Sequence, residues 1–258
     1  ISGTTVGGLF GRLVVSAITD FVSWRMGLIV IGILYLAVGI AFFMLLPKPK
    51  YQRQRQSCGL QLIKTFHTAL ANKKLLWIYL VAFLIMGSFV AVFNFISYVL
   101  LAPPYSLSQT VVGLLFVVYL FGTFSSTYMG RLSDQHGNGR VLILGLLIML
   151  TGGLLTLLQP LVFKFIGLAI FTFGMLGSHS VACGWVGKLN HGDKAQSSSM
   201  YMFFYYAGAS SLGTLGGVFL ESYGWSGVIG MVAAAVIICL LVVVRLELAV
   251  SQHLLWHH

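Results

Sequence analysis

Charge is what this chain has least of: 8% of its 258 residues are Asp, Glu, Lys or Arg, and only five of those are acidic. A soluble globule needs a charged surface. A sequence that is 58% hydrophobic, with a mean hydropathy of +0.95, cannot supply one, so lipid must cover much of it. Cysteine is scarce as well. Cys58, Cys183 and Cys239 are odd in number and show no CxxC spacing, which implies neither a disulfide framework nor a metal site. Alternation is missing too. Membrane-spanning strands alternate polar and apolar residues in segments of about ten, and nothing here does, so the chain is helical.

What the chain does have is long apolar runs. Those without charge cover residues 26 to 46, 75 to 102, 107 to 130, 141 to 158, 165 to 187, 195 to 220 and 225 to 244. Each is about as long as a helix needs to cross ~30 Å of hydrocarbon. An eighth, residues 1 to 23, carries Arg12 and Asp20 but is otherwise apolar. The expected fold is an all-α polytopic membrane protein with eight transmembrane helices.

A formal charge of +10 and a cluster such as Lys48, Lys50, Arg53 and Arg55 raise the possibility of a nucleic-acid partner. Position argues against it. With loops assigned alternately to two sides, one side holds Lys48, Lys50, Arg53, Arg55, Lys64, Lys73, Lys74, Arg131, Arg140, Lys188, Lys194 and Arg245. The other holds Arg25 and Lys164. Twelve against two is a positive-inside pattern, which places the loops after the second, fourth, sixth and eighth runs in the cytoplasm. The partner this charge implies is the bilayer, not nucleic acid. In the longest of these loops Leu60, Ile63, Phe66 and Leu70 recur at helical spacing beside lysines, so an amphipathic helix on the inner membrane face is expected between Pro47 and Lys74.

An internal repeat divides the chain. Gly3, Gly8 and Gly11 are spaced like Gly208, Gly213 and Gly216, and each set is followed by a tryptophan at the next helix entrance, Trp24 or Trp225. The repeated element returns six helices later, so the unit is six helices and a 6+6 layout with parallel halves is expected. On this layout residues 1–46 are the last two helices of an N-terminal half, 47–74 a basic cytoplasmic linker, 75–250 a complete C-terminal half and 251–258 a tail. The chain starts with Ile inside an apolar run, and an N-terminally truncated molecule is the expectation.

One loop carries a motif. Gly130-Arg131-Leu132-Ser133-Asp134-Gln135-His136-Gly137 lies between the fourth and fifth runs. Small residues there let two helices approach, and Asp134 can accept from a helix N-terminus or pair with Arg131 or Arg140, forming a latch. A solvated turn that caps the following helix is the alternative. Gly130, Asp134 and Gly137 match Gly-x-x-x-Asp-Arg/Lys-x-Gly, the loop signature of the major facilitator superfamily; Gln135 stands where a base is usual, and the following base is delayed to Arg140. The chain resembles helices five to twelve of such a transporter, and most closely the bacterial inner-membrane drug and metabolite efflux branch. Gly8 and Gly11 with Arg12, Asp20 and Trp24-Arg25 resemble the glycine-rich helix five of that branch, although its antiporters often carry Gly-Pro where this chain has Gly11-Arg12. The resemblance implies a monomeric multi-pass protein of the bacterial inner membrane that moves a small molecule by alternating access. Proton-coupled efflux is the implied mode, with no cofactor. A truncated, non-transporting remnant is the rival reading.

Several residues are candidates for a substrate cavity. Gly87, Ala91, Asn94 and Tyr98 share a helix face, and packing glue is the alternative use of that face. Thr172, Met175, His179 and Cys183 form a stripe, on which His179 either takes a proton or is held by hydrogen bonds in packing. Tyr119, Tyr201 and Tyr205 suit an aromatic substrate, or interfacial packing. Arg12 either snorkels to the external interface or forms an ion pair. The glycines at 208, 213, 216 and 217 suit close helix crossing. His67, His136, His179 and His191 are scattered, with no zinc or triad spacing, so no enzyme and no metal site is expected.

Overall fold

In a computed structural model of the chain the described residues are 2–21, 23–46, 72–189 and 194–255. Among them every regular element is helical: α1 (Ser2–Phe21), α2 (Trp24–Leu45), α3 (Lys73–Leu101), α4 (Gln109–Leu114) with a 3-10 turn (Leu115–Val118), α5 (Tyr119–His136), α6 (Asn138–Leu155), α7 (Leu161–Leu189) and α8 (Lys194–Leu255). The expected linker helix, Cys58 and His191 lie outside the described residues. So do the side chains of Arg12 and Asp20, which belong to α1 only as backbone.

Local sequence sets the helix ends. Ser23 starts α2 by accepting from Met26 N, Asn72 starts α3 by accepting from Lys74 N and Leu75 N, and Ser108 starts α4 by accepting from Val111 N. Pro103-Pro104 follows the end of α3 and denies it further backbone donors. Residues 251–255, expected as a tail, continue α8 to Leu255. Neither glycine nor proline occurs between Met231 and His258 to stop the helix.

Among the described residues six segments are long and apolar enough to cross a membrane: Trp24–Leu45, Lys73–Leu101, Gln109–His136, Asn138–Leu155, Leu161–Leu189 and Lys194–Leu248. The last has 55 residues and, if straight, would run ~80 Å, far beyond ~30 Å of hydrocarbon. It breaks at Gly224 (φ 63, ψ −157) into limbs covering 194–223 and 225–255, which correspond to the two final apolar runs. Among the described residues seven crossings are thus laid out, with α1 as the eighth helix.

The core lies among α3, α5, α6, α7 and α8. Without a hydrophobic drive between helices in lipid, close backbone approach carries the packing. On α3 the row Phe83, Gly87, Ala91 and Phe95 meets the row Gly208, Leu212 and Gly216 of α8, both rows advancing four residues at a time. Between α6 and α7, Gly152 faces Gly167 and Gly145 faces Gly174 so closely that side chains would strike backbone. The glycines at 208, 213, 216 and 217 therefore do serve helix crossing. Helix α2 buries only Gly27 and presents an apolar surface of the kind lipid covers.

Candidate functional site

Three groups of side chains stand out, one in the middle of the bundle and one at each end. The middle group is built on α7. Helical spacing puts Thr172, Met175 and His179 on one inward stripe, all buried, with Cys183 half-buried beyond them. His179 lies roughly 14 Å inward from Lys188 and roughly 22 Å from Lys164 along the helix. That depth is near the middle of a bilayer.

His179 does not stand alone. Its Nδ1 is 2.9 Å from Tyr201 Oη, and the same hydroxyl lies 3.4 Å from the His179 carbonyl oxygen, to which it can donate. The Tyr205 ring sits 4.5 Å from the imidazole, centroid to centroid, and 6.3 Å from Tyr201. Tyr119 is buried on α5 among Phe89, Phe93 and Phe116, at ring distances of 5.4, 5.0 and 5.6 Å. Phe89 in turn stacks on Phe171 of α7. Four of the six cavity candidates, Tyr119, His179, Tyr201 and Tyr205, are thus buried in one core of α5, α7 and α8.

Asn94 and Tyr98 are placed elsewhere. Both are exposed on α3, Tyr98 at 65%, with its ring against Phe95. They do not share the buried face of Gly87 and Ala91 as expected. The contact with α8 follows the four-residue row from Ala91 to Phe95, and Asn94 and Tyr98 rotate off it.

At the basic end, α5 passes into α6 through one residue, Gly137, at φ 92 and ψ 145. Asp134 Oδ1 accepts from Lys188 Nζ of α7 at 3.0 Å, and the same ammonium donates to Asn138 Oδ1 at 3.1 Å. The motif carboxylate is therefore tied to a third helix, by a lysine the sequence had marked only as a loop charge. Arg131 and Arg140 are exposed, and Gly130 lies beside Ser180 of α7 with ordinary room between them. Further inward the α5–α7 seam is held by serines: Ser125 Oγ donates to the Phe173 carbonyl, Ser126 Oγ to that of Leu176 and Ser180 Oγ to that of Ser126. Glu247 of α8 fills the space at Gly139, near the start of α6, where negative charge is favoured. Of the helix-five glycines, Gly8 is open, and Gly11 lies under the Tyr35 hydroxyl of α2.

At the opposite end Lys164 is buried at 4% exposure and donates to the Thr156 carbonyl at 2.6 Å. Its ammonium lies 5.9 Å from the ring centroids of both Tyr105 and Trp225. Trp225 Nε1 is within hydrogen-bonding distance of Thr156 at both the carbonyl (3.2 Å) and Oγ1 (3.1 Å), and Tyr105 Oη donates to the Gln159 carbonyl. The orphan carbonyl at the end of α6 is thereby satisfied by α7 and by the second limb of α8. Sequence reasoning missed this clasp because Trp225 and Tyr105 come to it from 69 and 54 residues away from their partners Thr156 and Gln159.

Comparison with known proteins agrees with this architecture. The family model described as Major Facilitator Superfamily matches residues 78–253. The chain is 41% identical over 247 residues to the inner membrane transport protein YnfM of Escherichia coli, covering 96% of this chain and 59% of the relative. To the MFS-type transporter YybF of Bacillus subtilis it is 40% identical over 244 residues, 93% of this chain and 59% of that one. To a Buchnera aphidicola transporter (subsp. Schizaphis graminum) it is 36% identical over 247 residues, with 96% and 60% covered. It spans about three-fifths of the length of the curated relatives it matches. A chain with these relatives is a multi-pass membrane protein and not an enzyme. From its family model and its relatives alike, the chain belongs to the Major Facilitator Superfamily.

Proposed function

We propose that the chain is part of a monomeric transporter of the bacterial inner membrane, which moves a small molecule outward by alternating access in exchange for protons. The observation that carries this reading is His179, a buried base at mid-membrane depth between Tyr201 and Tyr205. Ionisable groups at that depth are costly, and they commonly mark substrate or proton pathways. An imidazole titrates near neutrality in its ordinary setting, and in the tautomer whose bare Nδ1 accepts from Tyr201 protonation would turn that contact round, so that the phenol accepts from Nδ1–H and donates to the His179 carbonyl. Such an exchange of hydrogen bonds between α7 and α8 is a local switch of the kind that two-state transport needs. The phenol and imidazole faces suit a flat, apolar or cationic substrate.

The ion pair of Asp134 with Lys188 supports the other half of the mechanism. It clasps α5, α6 and α7 at the end that the charge distribution assigns to the cytoplasm, along with the linker 47–74. Such a clasp holds the inner ends of these helices together. Asn94 and Tyr98, turned outward on α3, would meet substrate where a second helical half packs against that face.

Ethidium retention tests the proposal in cells that express the chain at confirmed membrane levels. Expressing cells should hold less dye than controls, a protonophore should erase the difference, and His179→Gln should remove it without lowering expression. Equal retention in expressing and control cells would sink export of this cation, and export indifferent to the protonophore would sink proton coupling.

A further inference from the structure

A groove of about 320 Å³ opens at the basic end of the bundle, between the start of α3 and the second limb of α8. Lys73, Lys74 and Arg245 stand around it, and Trp77, Leu241 and Val242 contribute to its apolar wall. Trp77 is 46% exposed and Leu241 62% exposed, so the wall faces outward, away from the buried His179 cluster. Lipid would lie against this face of a multi-pass protein.

The charge of the groove is one-sided. No acid occupies the first turn of α3, where acids are normally favoured by the helix dipole. Two lysines stand there instead, and Arg245 adds a third cation from α8. Among the described residues no carboxylate pairs with any of the three, and Glu247, two residues beyond Arg245, lies against Gly139. Three like charges around one groove, two of them at a helix N-terminus, repel one another unless an anion joins them. A free anion would answer the charge but leave the tryptophan and leucine wall bare, whereas a molecule with an anionic head and a hydrocarbon body answers both.

We propose that this groove binds an anionic phospholipid, its phosphate among Lys73, Lys74 and Arg245 and one acyl chain along Trp77 and Leu241. Basic pockets between transmembrane helices at the membrane surface are suited to such headgroups. The site is independent of the transport reading above, because it requires only the bilayer and the cations.

Trp77 is a built-in reporter. The full chain is reconstituted in phosphatidylcholine vesicles containing a minor fraction of brominated phosphatidylglycerol or, separately, brominated phosphatidylcholine, and the fluorescence assigned to Trp77 by difference from Trp77→Phe is followed. Phosphatidylglycerol should quench it at least two-fold more strongly than phosphatidylcholine. The ratio should fall to about one in a Lys73→Gln, Lys74→Gln, Arg245→Gln variant and stay high in Lys73→Arg, Lys74→Arg, Arg245→Lys. Equal quenching by the two lipids would overturn the proposal, as would loss of the preference in the charge-conserving variant. Competition by inorganic phosphate would also overturn it, since the groove would then recognise the anion alone. Absence of quenching by either lipid would mean that protein covers the groove, and would overturn it too.

Discussion

Lys188 Nζ and Asp134 Oδ1 lie 3.0 Å apart although their residues are 54 positions apart in sequence. This pair fastens the last turn of α7 to the last turn of α5. The same lysine reaches Asn138 at the start of α6, so one ammonium connects three helices. The side chains are 55% and 71% exposed, which decides how much the pair can contribute. Water competes with both partners, and the gain is no more than about 1 kcal/mol.

Lys188→Gln and Asp134→Asn should therefore each lower the unfolding temperature only slightly, and the double variant should do little more than either. A double-mutant cycle on thermal unfolding in detergent measures the coupling. An interaction of several kcal/mol would mean that the pair is far better shielded than its exposure implies.

Gly137 should be intolerant of any side chain. At φ 92 and ψ 145 it occupies backbone space nearly closed to other residues, and no other residue intervenes between α5 and α6 to absorb a change. Gly137→Ala should cost about 1–3 kcal/mol in thermal or denaturant unfolding. A stability within error of the parent would refute the conformation.

The two adjacent glycines of α6 should respond unequally. A Cβ on Gly152 would lie 2.7 Å from the Gly167 carbonyl oxygen and from the Phe171 Cα, atoms that cannot move without separating α6 from α7. A Cβ on Gly153 would lie 3.6 Å from the Phe171 ring, an ordinary contact. Gly152→Ala should destabilise by about 1–3 kcal/mol, while Gly153→Ala stays near neutral or gains from its better helix propensity. Equal losses would show that the seam is not glycine-limited.

Tyr201→Phe removes the hydroxyl from His179 and leaves a buried Nδ1 without that partner. The loss should be about 0.6–2 kcal/mol, the range for hydrogen bonds between helices in membranes. Tyr206→Phe is the control, since that residue is 59% exposed. If both variants unfold alike, the pairing of His179 with Tyr201 contributes nothing to stability.

Much of the helical layout could be read from the chain because length and polarity determine it. Apolar runs are the only segments that lipid accepts, and Ser23, Asn72 and Ser108 stand at the starts of helices as capping rules require. The division of α8 into two limbs was legible as well, since the break at Gly224, with φ 63 and ψ −157, falls between the last two apolar runs. Placing His179, Tyr201 and Tyr205 at inward positions needed only periodicity. Their mutual contact needed the crossing of α7 with α8, which is set by packing between distant segments. Asn94 shows the limit most clearly: three- and four-residue spacings both suit one helix face, and only the neighbouring helix decides which row it takes. Lys188, Glu247 and Lys164 escaped notice for the related reason that a charge's partner lies across the fold.

The two ends of the bundle are closed by different physics. At one end the clasp is an exposed pair of opposite charges; at the other a buried ammonium donates to a carbonyl between two aromatic rings, with no countercharge in the contact. Dissolved ions screen the first over a Debye length of about 8–10 Å and scarcely reach the second. Of these two clasps, ionic strength therefore acts on one only. Brine on the Lys188 side loosens a joint, while the same solution on the Lys164 side leaves its counterpart untouched.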